Sequence, residues 1–183
     1  MSGRTRRPQL ELAREFGLTE FPNPAGGCLL TDPIYSYRLS ELLRHMPQPP
    51  VRDINLLKTG RHFRLSDSCK AIIGRNEAEN TIIETHAADG DITMTVEGIG
   101  SPTTIVTGAA DSEILMAAAS LTARYADSKY EKTVTVSAFR VNQAGQSVPL
   151  PQITVPPAHD ALLAALRIEE TRATKQSTKP IRV

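Results

Sequence analysis

Hydrophobic and polar positions along this 183-residue chain change period several times, and each change predicts an element. Between about 6 and 17, Leu12 and Phe16 stand four apart, as on one face of a helix. Pro8 suits the first turn, where its missing N–H costs nothing, and Gly17 suits the stop. "FPNPAGGCLLTDP" follows, with three Pro and two Gly, and predicts an irregular but ordered loop. Leu39, Leu42, Leu43 and Met46 recur at three and four, predicting a helix over 35–46 that "PQPP" ends. "VRDINLLK" reads as a short helix. In "GRHFRL", Phe63 and Leu65 alternate with His62 and Arg64, the period of a half-buried strand.

Further on, "KAIIGR" predicts a second strand and residues 77–85 a short helix with Ile82 and Ile83 inward. In "DITMTVEG", Ile92, Met94 and Val96 alternate with threonines and a glutamate, so a strand is expected, with "TTIVTG" as its partner. Ile114, Ala118, Leu121 and Tyr125 mark the most regular helix, over 111–126, capped by Asp111 or Ser112. "TVTVSAF" is a further strand. Beyond 145 the chain is Pro-rich, then "HDALLAALRIEE" predicts a short helix before a polar, basic tail expected to be disordered. The pattern predicts an α+β fold: a small mixed sheet covered by two helices, preceded by a mostly helical N-terminal segment. Three parts are expected: a helical and loop junction over 1–50, a domain over 51–145, and a Pro-rich extension over 146–183.

Charge changes this picture. The net value is +1, but residues 1–75 carry +5, residues 76–131 carry −8 and residues 132–183 carry +4. Basic ends around an acidic middle fit one phosphate-facing surface, and equally fit ordinary surface charge. Aromatic residues are 4% and Trp is absent, so binding by base stacking has little to work with. No stretch is long and apolar enough to predict a membrane span, and the basic start has no apolar core behind it, so no secretory signal is read. With Cys28 and Cys69 alone, a disulfide framework is not expected and a reducing cytoplasm is.

Candidate chemistry concentrates around one corner. Lys58, Arg61, Arg64, Lys70 and Arg75 fall within 18 residues, with His62 among them. At "IIGRNEAEN" a strand runs through Gly74 and Arg75 into a helix at Asn76. The first N–H groups of that helix and its dipole favour an anion, and Arg75 would complete the site. The same spacing also makes Asn76 and Glu79 a capping box that satisfies those N–H groups. Spacing alone leaves both readings open. Cys28 follows two glycines in the Pro-bounded loop; it is either an exposed thiol fit for sulfur transfer or a packed residue. No histidine or cysteine pair has metal-ligand spacing, and no phosphate-loop or nucleophile-elbow motif occurs, so no metal and no cofactor are expected.

"LSDSCKAIIGRNEAEN", "DGDITMTVEGIGSPTTIVTG", "RYADSKY" and "TVTVSAF", in that order, resemble the NFACT RNA-binding domain. In that family a strand ends in a G-R-N turn with a second Asn four residues on; Gly74, Arg75, Asn76 and Asn80 match. A D-x-W-x-H-V strand and a G-S-H loop usually follow. Here they read DITMTV and Gly100-Ser101-Pro102, so the Trp and His contacts do not carry over, which implies a divergent branch. "SGRTRRPQLELAREFGLTEFPNPAGGCLLTDP" with "DINLLKTGRHFRL" resembles the junction in bacterial tRNA thiouridylases of the PP-loop ATP-pyrophosphatase class. Their S-G-G-x-D-S nucleotide loop is missing, which implies a C-terminal part or a stand-alone version that does not adenylate tRNA.

The resemblance implies an RNA-binding, and specifically tRNA-binding, module of a tRNA thiolation system, not an enzyme by itself. Its partners would be tRNA or another structured RNA and a PP-loop ATP-pyrophosphatase, and no membrane. The expected RNA-binding residues are Lys58, Arg61, His62, Arg64, Lys70, Arg75, Asn76 and Asn80. The alternatives are a sulfur relay through Cys28 or an interaction domain with no RNA role.

Overall fold

The structure, a computed structural model, describes residues 11–12, 14–17 and 28–168. The chain divides into two compact units, Met1–Asp32 and Pro33–Val183. In the first, residues 11, 12, 14 and 15 are helical and the Phe16 amide donates to the Leu12 carbonyl at 2.9 Å. Gly17 turns left-handed, with φ +65°, where the sequence puts the helix stop. The 3-10 turn Leu29–Thr31 follows Cys28, which is exposed. The start of the predicted N-terminal helix, most of the Pro-Gly loop and the basic tail after 168 lie outside the described residues.

The second unit is α+β, as the pattern predicts. Its order is α1 Pro33–His45, α2 Val51–Leu56, β1 Arg61–Ser66, β2 Cys69–Ile73, α3 Glu77–His86, β3 Ile92–Thr95, β4 Thr104–Thr107, α4 Ser112–Tyr125, β5 Val134–Val141, β6 Ser147–Pro149, β7 Ile153–Val155 and α5 Asp160–Leu166. The sheet runs β1-β2-β4-β3-β5-β6, with β7 also on β5, and every pairing is antiparallel.

Side-chain alternation assigns the two faces. Phe63, Ala71, Ile73, Met94, Val106 and Val136 line one face, under α4 and α5. The buried stripe of α4 includes Ala118, Ala119 and Ala123, small enough for the helix to settle close to the sheet. Ile72 and Ile105 point the other way and meet Leu56 of α2 and Ile83 of α3. Helices therefore lie on both faces, which is why β2 is buried at all five positions and shows no alternation in "CKAII". β3, covered on one face, keeps its alternation.

Two boundaries differ from those expected. Helix α1, assigned by sequence to a junction over 1–50, belongs to the domain. Arg38 donates to the Leu57 carbonyl at 2.8 Å and the Gly60 carbonyl at 3.1 Å, and Tyr35, Leu42 and Leu57 form a core cluster. At the other end, the chain beyond 145 is part of the sheet. Pro149 pairs with Phe139 on edge strand β6, where a missing N–H is tolerated, so Pro-rich composition concealed a strand. After α5, the Ile168 amide donates to the His62 carbonyl at 2.9 Å, tying the end of the described chain to β1.

Candidate nucleic-acid interface

The turn that closes β2 is held by its neighbours. The Gly74 amide donates to the Thr103 carbonyl at 3.1 Å, and the Thr103 amide donates to Asn80 Oδ1 at 3.0 Å. A Cβ on Gly74 would overlap the Asn80 carboxamide oxygen, so close approach, not backbone angle, demands glycine there. The next loop is closed by Ser101 Oγ, which accepts from the Val96 amide at 2.9 Å. The Asp127 amide donates to the Gly100 carbonyl at 2.9 Å, joining the segment after α4 to the same cluster. Three loops far apart in sequence are thus laced at one end of the sheet.

The capping question has a definite answer. Asn76 Oδ1 accepts from the Glu79 amide at 3.0 Å, so Asn76 caps α3. The Glu79 carboxylate reaches back one residue further than in a capping box, accepting from the Arg75 amide at 2.9 Å. It also accepts from Arg75 Nε and Nη2. These Arg75 bonds hold the Glu79 carboxyl below its usual range. Asn76 and Asn80 are both engaged structurally, while the Arg75 side chain, braced by Glu79, is still half exposed.

Arg75 has cationic company. Arg61 donates to the Gly74 carbonyl at 3.3 Å and its guanidinium carbon stands 4.3 Å from the centre of the Tyr125 ring. Burial lowers its pKa first; Tyr125 opposes, and the nearby charges of Arg167 and Arg75 lower it further. The charges of Arg61, Arg75 and Arg167 thus act on one another at one corner, with the Glu79 carboxylate among them, and an anion there would ease the repulsion that Glu79 leaves. On the segment joined to it through Asp127, Tyr130 is 88% exposed with the Lys129 ammonium 5.1 Å from its ring centre.

The other expected residues go elsewhere. Lys58 is exposed beyond α2. His62 is fully buried: Nε2 lies 2.8 Å from the Thr59 carbonyl, and burial holds its pKa well below the ordinary histidine value. It is a neutral core residue and not an RNA contact, because β1 carries helices on both faces. Arg64 gives two bonds to Glu41, at 2.6 and 3.0 Å, and Lys70 is 5% exposed. These two face the α1–α2 side and are parted from the Arg61–Arg75–Arg167 corner by the length of β2. Cys69 is buried and its thiol is pushed up to about 11 by that burial, which makes it inert.

Sequence reasoning missed Arg167, Tyr125 and Tyr130. Tyr125 carried a partial signal, as the last position of the regular face of α4. Arg167 had none, since the bridge that pairs it with Phe63 spans about a hundred residues.

Residues 60–163 match the family described as NFACT protein RNA binding domain. Eight chains among solved structures match in fold. One is the C-terminal part of the fibronectin/fibrinogen-binding protein from Streptococcus suis, with 14% identity and a TM-score of 0.50. The match covers 73% of this chain and 66% of that one, just under two thirds of its length, and is a likeness of fold. A search of curated proteins finds no match.

Proposed function

This chain belongs to the NFACT RNA-binding domain family, and from that premise we propose that it is the tRNA-binding module of a tRNA thiolation system. An RNA-binding role follows from the family itself. The finer reading is supported by the order of the junction and domain motifs in the sequence, which resembles PP-loop thiouridylases of a divergent branch. In this reading the chain supplies no catalysis and works with a PP-loop ATP-pyrophosphatase in the cytoplasm.

The observation that carries the interface is the arginine corner built on the Gly74–Asn76 turn. Arg75 is aimed by Glu79 and Arg61 is propped on Tyr125, with Arg167 beside them. Guanidinium groups held this way suit phosphate oxygens, and the exposed Tyr130 offers one stacking surface. Recognition is then mainly of backbone and shape.

The test is tRNA binding across a salt series. Three phosphate contacts predict a slope of log K against log salt of about −2 to −3. Arg61→Ala with Arg75→Ala should flatten it by about 1 to 2 while leaving the thermal transition cooperative. A slope near zero sinks the interface, and equal affinity for tRNA and an unrelated hairpin sinks the tRNA preference. Sulfur incorporation by a PP-loop ATP-pyrophosphatase should rise when this chain is added; no effect removes the thiolation context.

The exposed Cys28 favours one second reading, a sulfur relay in which its thiol carries a persulfide. Alkylation of native protein should then label Cys28, spare Cys69 and stop sulfur transfer. An unreactive Cys28 ends that reading.

A further inference from the structure

On the face of the sheet away from α4, a cleft of about 200 Å³ opens among α1, α2 and the β2–β4 ladder. Leu42, His45 and Met46 form one wall, Arg52 and Asp53 another, and Lys70, Ile72 and Thr107 the floor. Arg64 and Lys70 are directly opposed across β1 and β2, two cations at one cross-strand position.

Their neighbours treat them differently. Arg64 is matched by Glu41. Arg52 is matched by Asp91 and by Asp53 at 3.2 Å. Lys70 is 95% buried overall, but its ammonium nitrogen is not among the enclosed unsatisfied polar atoms: it opens onto the cleft, and among the described residues no carboxylate stands within ion-pair distance of it. Burial brings its pKa down to about 8; Glu41 and Asp53 act against this from a distance, and Arg64 and Arg38 add to it. A largely desolvated cation without a close partner is costly, and an anion brought into the cleft would lower that cost.

We propose that this cleft binds a phosphate monoester, with Lys70 as its main charge partner. The space is smaller than a pocket for a whole drug-sized molecule, so it fits a terminal group of something larger. A terminal phosphate enters and stops, whereas an internal diester must also leave. Ser68 and Gly108 also line the cleft and add polar groups to those of Arg64 and Arg52, against the carboxylates of Asp53 and Asp67. A free mononucleotide and the phosphorylated end of an RNA share this chemistry. The proposal stands apart from the arginine corner and does not need it.

The experiment uses the full chain with inorganic phosphate, AMP, acetate, and one short RNA bearing either a 5′-phosphate or a 5′-hydroxyl, all by calorimetry. Phosphate or AMP should bind in the millimolar range or tighter, and Lys70→Met should weaken binding at least tenfold. AMP binding without a 5′-phosphate effect on the RNA assigns a free nucleotide; the reverse assigns an RNA end. The Arg61→Ala, Arg75→Ala variant should keep cleft binding, so failure of the RNA interface and failure of this site read separately.

Affinity should fall about tenfold per pH unit above 8, as Lys70 loses its proton. The groups around it are Arg38, Glu41 and His45 on α1, Arg52 and Asp53 on α2, His62 and Arg64 on β1, and Asp67 at the turn. Of these, His62 is already neutral there. In the wild type, the Lys70 Cε resonance should titrate at higher pH with phosphate present, a readout that needs no variant. An unmoved midpoint, equal binding by Lys70→Met, or equal binding of acetate overturns the proposal; an adventitious ion only would give the first two.

Discussion

Asn76 had two competing uses, to cap α3 or to meet an anion, and its carboxamide oxygen is taken by the Glu79 amide. Asn76→Ala should therefore cost about 1 kcal/mol of stability with little change in RNA affinity. Gly74→Ala should cost about 1 to 3 kcal/mol, because its Cβ collides with the Asn80 carboxamide that holds Thr103. Denaturant titration beside binding separates the two; a large RNA defect in Asn76→Ala would reverse the assignment. The buried titratable groups give a second prediction. The folded pKa of His62 lies well below its unfolded value of 6.5, so the unfolded chain takes the proton first and stability falls as pH drops below about 6.5. Lys70 titrates near 8 when folded against 10.5 unfolded, so its burden is full below 8 and fades as pH rises to 10.5. Lys70→Met should be more stable at pH 7, on the order of 3 kcal/mol, with the difference shrinking towards pH 10. A pH-independent difference in melting would refute this.

At the scale of elements, helices and strands with regular period are placed in the structure where the sequence predicts them. Asp111 caps α4 as read, its side chain accepting from the Ile114 amide. The exception is the segment after 145, where β6 and β7 are three residues each and Pro interrupts the period. Their pairing with β5, and the packing of α5 near Phe63, exist only in the assembled sheet. A chain ending at Asn142 should lose cooperative melting, since it strips cover from Val134 and Val136 and removes the buried Val155, Ala158 and Ile168. Circular dichroism is sufficient. If that chain melts within a few degrees of the full one, residues 147–168 are an appendage after all.

For the whole molecule, a cluster of basic residues close in sequence becomes two separate groups. β1 sends Arg61 to Tyr125 of α4 and Arg64 to Glu41 of α1; Lys70 lies opposite Arg64 on the α1 side, while Arg75 stands in the turn beyond β2, held by Glu79 of α3 and near Arg61. Arg64→Ala should hence leave the salt slope of RNA binding unchanged. It should destabilise the fold by up to about 3 to 5 kcal/mol, because the buried Glu41 loses both Arg64 bonds and keeps only His45, at 3.5 Å. A slope change as large as that of Arg61→Ala would restore a single continuous phosphate track.

The sequence by itself determined the α+β class, most element boundaries and the G-R-N turn, because hydrophobic period and capping chemistry act over one to four residues. Tertiary structure decided that His62 and Lys70 lie inside, that Arg167 joins Arg61 and Arg75, and that the last described stretch belongs to the domain. Burial and charge neighbours are set by which helices cover which face, and elements a hundred residues apart settle that together.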